Sequence, residues 1–203
     1  MKSYNVITIL IITLWACQGD DKIVRLYPDS GKKEIYTIDV DSLVHGEKLV
    51  YMDDTYLYER SQYSHGRLSG DRLIYFPSGN VEIHEHYKDD MLHDSLKVFY
   101  PNGALKIVMM YTQGTLNGIV TQYYEDGMKK EEVSFEDNEE NGPFVEYHQN
   151  GQVKWKGTYL NGDNEFGLLE EFDDSGTLIK RMNCDSLAIC KTIWTKEKGD
   201  IAS

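Results

Sequence analysis

Apolar and polar side chains alternate with a period of two along several short stretches of the chain. In residues 81–88 the odd-numbered positions, which include Ile83 and Tyr87, fall on one side, and the even-numbered, polar positions fall on the other. The stretches 105–111 and 153–159 repeat this alternation. A period of two is that of a β-strand, because successive side chains point to opposite faces of a sheet. The pattern therefore predicts strands and not helices.

The alternating stretches recur with a period of 24 residues. One column of aromatic residues comprises Tyr75, Phe99, Tyr123 and Tyr147. A second aromatic column comprises Tyr63, Tyr87, Tyr111, Phe135 and Tyr159. Glycine forms a third column, Gly79, Gly103, Gly127 and Gly151, and a fourth, Gly70, Gly118 and Gly142, which is interrupted only by Asp94. The periodicity predicts a row of repeated structural units.

A three-residue turn that ends in glycine separates two strands within each unit. Examples are Pro77–Gly79, Pro101–Gly103 and Glu125–Gly127. A type I turn followed by a left-handed residue requires this order, since glycine adopts positive φ without steric cost. Each unit is therefore predicted to be a β-hairpin.

A lone hairpin is only marginally stable in water, so successive hairpins must pair edge to edge. We expect an all-β fold, an elongated single antiparallel sheet in which the aromatic residues of neighbouring units stack into buried ladders. Residues 70–183 are predicted to form the regular array, and residues 27–69 are predicted to be degenerate N-terminal repeats. Residues 184–203 are predicted to be a C-terminal cap, because the terminal units of a stack are commonly degenerate.

Residues 1–16 have the pattern of a secretory leader. Lys2 precedes an apolar run of 11 residues, Val6 to Ala16. This run is too short to cross a bilayer, which needs about 20 helical residues, and it is typical of a signal peptide. Leu14–Cys17 resembles the lipobox of bacterial lipoproteins, which are cleaved before an acylated cysteine. The alternative is an N-terminal strand or helix that ends at an ordinary cysteine.

The lipobox resemblance implies a mature chain that begins at Cys17 and is anchored by lipid in the cell envelope, at the outer membrane. Residues 17–26 then form an acidic tether. Within the tether, Gln18–Asp21 resembles the segment that exports lipoproteins to the cell surface in Bacteroidota-like bacteria. The resemblance therefore adds surface exposure as a further expectation.

The charge of the chain excludes two classes of partner. Basic residues number 21 and acidic residues 34, which gives a net charge of −13. Nucleic acids require a clustered positive surface, so they are not expected to bind. Anionic lipid headgroups are repelled for the same reason, which limits membrane contact to the lipid anchor.

The segment Asn141–Gly162 resembles the MORN repeat variant (membrane occupation and recognition nexus), the unit found in bacterial toxin-antitoxin system YwqK-family antitoxins. The resemblance covers residues 60–180 well and residues 22–59 weakly. It implies a binding or scaffolding surface, in some members an antitoxin, and it brings no catalytic residues. The chain departs from the family pattern at Asp94, at Glu140 and by an insertion near Asp163.

Two patterns suggest metals but have simpler interpretations. Residues 137–142 place oxygen donors and a glycine as a calcium loop does, but His148 stands where a bidentate glutamate is needed. His84 and His86 share one strand face, with Glu82 beside them and His93 in the next turn, as zinc ligands would. The polar face of a hairpin explains them equally well. We therefore expect no metal and no cofactor.

No nucleophile elbow, phosphate-binding loop or zinc-protease motif occurs in the sequence, so no enzymatic activity is expected. Cys184 and Cys190 form an even pair in an oxidising compartment, and their spacing closes a small loop. Cys184 also falls in the aromatic register of the last unit. A disulfide is favoured over two free thiols buried beneath the cap.

Three functions remain. The leading hypothesis is a lipid-anchored protein-interaction module. Its predicted contact residues are the acidic loop residues Glu136, Asp137, Glu139 and Glu140, which would attract a basic protein partner. The second is an antitoxin or immunity protein that masks a basic toxin by charge complementarity. The third is a glycan platform formed by exposed tyrosines and Trp155, against the simpler interpretation of these rings as core.

Overall fold

The computed structural model describes residues 10–11, 21–53 and 55–201. Cys17, most of the predicted leader and the first part of the tether lie outside these residues. Regular structure in the described part of the chain is all β-strand, and no helix there is long and apolar enough to cross a membrane. The chain divides into two compact units, Met1–Gly103 and Ala104–Ser203, a division that falls inside the predicted array 70–183.

The first unit has nine strands in its described residues. They are β1 (Leu10–Ile11), β2 (Asp21–Tyr27), β3 (Lys32–Ile38), β4 (Val44–Met52), β5 (Tyr56–Ser64), β6 (Arg67–Tyr75), β7 (Val81–Lys88), β8 (Met91–Leu92) and β9 (Asp94–Phe99). Each strand from β2 to β7 pairs antiparallel with the next in sequence, and β7 also pairs with β9. β1, which lies inside the predicted leader, pairs with the edge of β2.

The second unit has ten strands in its described residues. They are β10 (Leu105–Thr112), β11 (Thr115–Leu116), β12 (Gly118–Tyr123), β13 (Lys129–Glu136), β14 (Glu139–Tyr147), β15 (Val153–Tyr159), β16 (Gly167–Phe172), β17 (Leu178–Cys184), β18 (Cys190–Thr195) and β19 (Gly199–Asp200). From β12 to β19 each strand again pairs antiparallel with its neighbour in sequence. The predicted all-β hairpin architecture is confirmed in both units.

Glycine closes the predicted turns as expected. Gly79 has a φ of 89° and its N–H donates to the carbonyl of Phe76 at 2.8 Å. Gly127 has a φ of 87° and donates to Tyr124 at 2.9 Å. No neighbouring atom lies within 4 Å of a Cβ built on either glycine, so backbone conformation and not space selects the residue. A register shift next to each turn completes the turn-plus-bulge geometry.

The second glycine column lies directly across the strands from the second aromatic column. Gly70 pairs with Tyr87, and Gly142 pairs with Tyr159. The same register pairs Gly167 with Cys184, which places this cysteine at the aromatic position of the last hairpin. A ring facing a glycine covers backbone that the glycine leaves bare.

The repeat aromatics do not form the buried ladders that the sequence predicts. All eight residues of the two columns that lie in the regular array are only half-buried: Tyr75, Phe99, Tyr123, Tyr147, Tyr87, Tyr111, Phe135 and Tyr159. The core of the second unit is formed by Val133, Phe144, Leu169 and Cys184, against which Phe135 and Tyr159 pack from the side. A one-layer sheet covers a residue in the middle of a strand better than one at its end. The aromatic columns stand nearer the strand ends.

The first unit buries polar as well as apolar side chains. Its most buried hydrophobic residues are Tyr36, Val50 and Ile74. Beside them lie Glu34, which is 6% exposed, and Glu85, which is 9% exposed. Charged groups so deeply placed require partners, and the neighbouring strands supply them.

Candidate binding surface

In the second unit, the strands present two faces of different chemistry. We call the face that carries Val133 and Phe144 the core face, and the opposite face, which carries Glu132 and Val145, the outer face. The registers Val133↔Phe144 and Glu132↔Val145 fix this assignment, since adjacent residues of a strand point to opposite sides.

The predicted acidic loop lies at the hairpin between β13 and β14. Glu136 and Glu139 are exposed and stand directly opposite each other across the two strands. Like charges in this position destabilise a sheet slightly. Asp137, also exposed, has a φ of 51° at the turn, and its N–H donates to Asn117 Oδ1 at 2.9 Å. Three of the four predicted contact residues are thus brought together at one tip.

Glu140, the fourth predicted contact residue, is half-buried and pairs with Phe135. Burial raises its pKa, and the nearby carboxylate of Asp163 raises it further. It therefore connects the hairpin tip to the acidic residues of the core face.

Glu131 and Glu146 form an acidic pair on the core face that the sequence reasoning missed. They stand opposite each other on β13 and β14. Burial raises the pKa of Glu131, and the charges of Glu146 and Glu140 raise it further. Burial together with the charges of Glu140 and Glu131 also raises the pKa of Tyr159 to about 12. We call Glu131, Glu136, Glu139, Glu140 and Glu146 the acidic surface.

A depression of about 280 Å³ adjoins the acidic surface and is lined by Tyr124, Lys130, Glu131, Glu146 and Lys154. Lys154 Nζ lies 3.0 Å from Glu146 Oε2. Glu131 accepts a hydrogen bond from Gln122 Nε2 at 2.9 Å. A neutral amide compensates a partly buried carboxylate less well than a cation does. The charges of Lys130 and Lys154 act to lower the pKa of Glu131, but burial and the neighbouring glutamates outweigh them.

The acids of the outer face are neutralised by near neighbours. Lys129 Nζ lies 2.6 Å from Glu132, and Glu170 is held by both Lys156 at 2.8 Å and Arg181 at 2.9 Å. Hydrogen bonds from Lys129 and Tyr147 lower the pKa of Glu132, and those from Lys156 and Arg181 lower the pKa of Glu170. Glu132 and Glu170 of the outer face therefore have lowered pKa values, whereas the pKa of Glu131 on the core face is raised.

His84 and His86, considered as zinc ligands, contact Asp71 and not the expected Glu82. His84 Nε2 lies 3.1 Å and His86 Nδ1 2.9 Å from Asp71 Oδ1. Asp71 lies on β6 and pairs with His86 across the strands. The register of the predicted hairpin could have identified it. Glu82 shares the strand with the histidines, and His93 lies 4.0 Å from Asp94.

The residues of the calcium-like loop form the turn between β13 and β14 and the beginning of β14. Asp137 and Asn138 adopt positive φ, and Glu139 begins β14. Asn138 Oδ1 accepts the N–H of Leu116 at 2.9 Å. These polar groups connect one hairpin to the previous one.

Cys184 and Cys190 are joined by a disulfide between β17 and β18. Trp155, the residue on which the glycan hypothesis depends, packs against the core cluster, and Lys180 Nζ lies 5.6 Å from its ring centroid. Tyr159 stacks on Phe144 with centroids 4.3 Å apart. Both rings therefore pack against the core cluster, which disfavours a glycan platform.

Three segments of the chain match the MORN repeat variant, at residues 68–89, 116–137 and 140–161. The matches support a MORN repeat protein, and MORN repeats are generally non-enzymatic modules that interact with proteins or membranes. The tip that carries Glu136 to Glu140 lies where the second and third matched repeats meet. No curated protein shows significant similarity to the chain.

Proposed function

We propose that the chain is a non-catalytic, lipid-anchored interaction module of the bacterial cell envelope that captures a basic protein partner through the acidic surface. The observation that carries the proposal is the accumulation of partly buried, like-charged carboxylates at Glu131, Glu140 and Glu146. Burial, and then repulsion by Glu146 and Glu140, raises the pKa of Glu131, so the ionised cluster is under electrostatic tension.

A partner that inserts lysine or arginine side chains would relieve this tension. The gain is larger than at an ordinary exposed carboxylate, because the local dielectric constant is lower where the groups are partly buried. The exposed tip residues Glu136 and Glu139 extend the negative field outward, and the net charge of −13 reinforces it over longer distances. The arrangement suits fast, electrostatically steered association.

The test is a binding measurement on the partner recovered from envelope extract with the full-length chain in detergent. Replacing Glu136, Asp137, Glu139 and Glu140 by their amides is expected to slow association more than it speeds dissociation. The on-rate should also fall steeply with salt, as the Debye length shrinks from about 10 Å at 0.1 M to about 3 Å at 1 M.

A matched control removes the same charge elsewhere in the second unit. Its four substitutions, all at exposed acids, are Glu125→Gln, Asp174→Asn, Glu197→Gln and Asp200→Asn. This variant should keep the wild-type rates at high salt and lose little at low salt. A partner whose binding is indifferent both to salt and to the tip variant would refute the proposal.

An antitoxin is the narrower form of the same proposal, supported by the same acidic surface. In this form the basic partner is a toxin, and the chain masks its charged functional surface. Coexpression with that partner should then restore growth, whereas the tip variant should fail to do so. Restoration by the tip variant would exclude masking through this surface.

The envelope location rests on the residues Leu14–Cys17. Cleavage before Cys17 and acylation of its thiol would anchor the chain stably, since two acyl chains hold a protein where one gives only marginal binding. The substitution Cys17→Ala is expected to release the chain from membranes or to stall the precursor. Membrane fractionation at full yield and native mass would contradict the anchor.

A further inference from the structure

We propose that Asp39, His45 and His65 form a binding site for a divalent transition metal ion of the zinc class in the first unit. One ligand atom from each residue lies within 4.8 Å of the corresponding atoms of the other two. Two imidazoles with one carboxylate form a donor set that such ions favour, whereas calcium and magnesium favour oxygen alone.

Two adjacent hairpin ends bring the three residues together. Asp39 begins the turn between β3 and β4, His45 is the second residue of β4, and His65 lies at the turn between β5 and β6. The N–H of Gly66 donates to the carbonyl of Val44 at 2.8 Å, which ties one hairpin end to the other. The residues are thus positioned by backbone hydrogen bonds and not by chance contact of flexible side chains.

The carboxylate of Asp39 is oriented in advance. Its Oδ1 accepts the N–H groups of Asp41 and Leu43, both at 3.0 Å. Its Oδ2 is left to face His65 Nδ1 at 2.8 Å. The side chain of Asp39 is only 10% exposed, whereas that of His65 is 69% exposed. A carboxylate fixed by its second oxygen is the arrangement that supports metal ligands elsewhere in proteins.

The spacing suits coordination. Zinc binds histidine nitrogen and carboxylate oxygen at about 2.0 to 2.2 Å, so two ligand atoms at a tetrahedral angle stand about 3.3 Å apart. The observed 2.8 Å between His65 and Asp39 lies just below this distance, and the 4.8 Å limit on the cluster lies above it. Small side-chain rotations would bring all three atoms onto one ion, which takes the place of the proton between His65 and Asp39. Water completes the coordination on the exposed side of His65.

The same turn elsewhere in the chain shows what the repeat itself requires. Three repeats further on, Asn117 and Asp137 occupy the positions of His45 and His65. There the N–H of Asp137 donates to Asn117 Oδ1 at 2.9 Å. In the first unit the N–H of His65 donates to His45 Nδ1 at a longer 3.4 Å. An asparagine and an aspartate are therefore enough to form this turn. The turn itself does not require an imidazole at either position.

This comparison supplies variants that remove a ligand and keep the turn. His45→Asn restores the residue that caps the equivalent turn, and His65→Asn places at positive φ a residue that tolerates it. The full-length chain in detergent is titrated with zinc by calorimetry and with cobalt(II) by visible absorption. The wild type is expected to bind one equivalent, and each variant is expected to lose at least about 100-fold in affinity. Melting temperatures without metal should stay unchanged.

The double variant His84→Gln/His86→Gln is the matched control, since it removes two imidazoles that share Asp71. It should keep the wild-type stoichiometry and the cobalt spectrum. The proposal is overturned by a wild type that binds no stoichiometric zinc. It is equally overturned if His45→Asn retains wild-type affinity, or if the His84/His86 control abolishes binding.

Discussion

The two units bury opposite kinds of side chain at equivalent positions of the repeat. In the first unit Arg72 pairs across the strands with Glu85, and in the second, two repeats on, Val120 pairs with Val133. The backbone registers are the same although one pair is ionic and the other apolar. The turns and the facing glycines therefore specify the hairpin. The middle of the strand accepts either an ion pair or an apolar pair.

Arg72 and Glu85 lie in one row with Lys48 and Ser61, which we call the ionic row of the first unit. The charges of this row and of the adjacent Glu34 and Glu59 are well compensated. Arg72 reaches Glu59 and Glu85 at 2.9 Å each, and Glu34 lies 2.7 Å from Lys32 and 3.3 Å from Lys48. Burial alone would raise the pKa of Glu59, but the hydrogen bond and charge of Arg72 outweigh it and lower the pKa. No buried side-chain nitrogen or oxygen in the described residues lacks a hydrogen-bond partner.

The neighbouring row differs between the units in another way. Its residues are the buried Val50 and Ile74 in the first unit, and Gln122 and Glu146 at the same repeat positions in the second. In the first unit this row also contains Glu34 and Glu59, so acidic and apolar side chains alternate in it across the strands. In the second unit the row contains Gln122, Glu131 and Glu146, so it supplies two of the five residues of the acidic surface.

The largest effect is expected from the apolar row. Phe144 is buried against Val133 and Leu169, and Phe144→Ala should destabilise the chain by about 3 to 5 kcal/mol through lost burial and the cavity left behind. Phe166→Ala is the control, since Phe166 is 41% exposed and should cost well under about 1 kcal/mol. Denaturant unfolding measures both. Equal costs would show that the row is not the core.

The ionic row should respond to single and combined changes in opposite ways. Arg72→Val leaves Glu59 and Glu85 without their cation and should cost about 2 to 4 kcal/mol, somewhat less than a fully buried pair because Arg72 is partly exposed. The triple change Glu59→Ile/Arg72→Val/Glu85→Val installs the residues found at the equivalent positions 83, 120 and 133. It should be neutral or stabilising by about 1 to 3 kcal/mol.

Unfolding free energies of the single and triple variants decide between two accounts of the row. Recovery in the triple variant would show that the ionic row is replaceable and not needed for stability. A triple variant less stable than Arg72→Val would show instead that the ionic row fixes the packing of Val50 and Ile74.

The hairpins, their turns and the face assignment could be predicted from the sequence because they depend on local residues: a turn ending in Gly79 or Gly127, and alternation between turns. The ionic row could not, because period-two alternation does not say which charged residues meet across strands. The acidic pair Glu131 and Glu146 was missed for a related reason. Acids at core-face positions resemble solvated polar residues until the register places them opposite each other.

The histidine–aspartate cluster was beyond sequence reasoning for a different physical reason. Asp39 and His65 are separated by 26 positions. A register shift between Tyr36 and Thr37 lies at the end of β3, so the strand pairing next to Asp39 departs from regular alternation. Gly46, at a φ of 77° inside β4, marks this shift, but a glycine does not indicate which distant side chains the bulge brings together.

Gly157 allows the packing of the apolar row and of the ionic row to be compared at one repeat position. A Cβ built there would lie 2.8 Å from Phe144 and 3.0 Å from Leu169. Gly157→Ala should therefore overpack the core and cost about 1 to 3 kcal/mol. Ser61, the equivalent residue of the ionic row, is fully buried, so Ser61→Gly would instead open a space and remove its hydrogen bond to Glu59. Thermal unfolding of both variants tests whether the two rows are equally tightly packed. Equal tightness predicts that both the added and the removed atoms lower the melting temperature.

The smallest expected effect is the dependence of stability on pH, which has opposite signs in the two units. In the second unit the pKa values of Glu131 and Glu140 are raised, so the folded chain holds these protons more tightly than the unfolded chain. Their destabilising contribution is present above the folded pKa values and disappears as pH falls toward the unfolded value near 4.3. Glu34 and Glu59 of the first unit have lowered pKa values. Their stabilising contribution is present above the unfolded value and is lost as pH falls through the folded one.

Acidification from pH 7 toward pH 4.5 should therefore stabilise the second unit, and further acidification should weaken the first. Glu131→Gln is expected to raise stability at pH 7 by under about 1 kcal/mol, and the gain should vanish near pH 4, where wild-type Glu131 is itself protonated. Hydrogen exchange, followed separately in peptides of each unit, measures whether each unit gains or loses stability on acidification. Glu125→Gln is the control at an exposed position. A Glu131→Gln variant that destabilises the second unit equally at pH 7 and pH 4 would mean that the carboxylate acts as a satisfied structural group. The acidic surface would then lose the electrostatic tension on which capture of a basic partner depends.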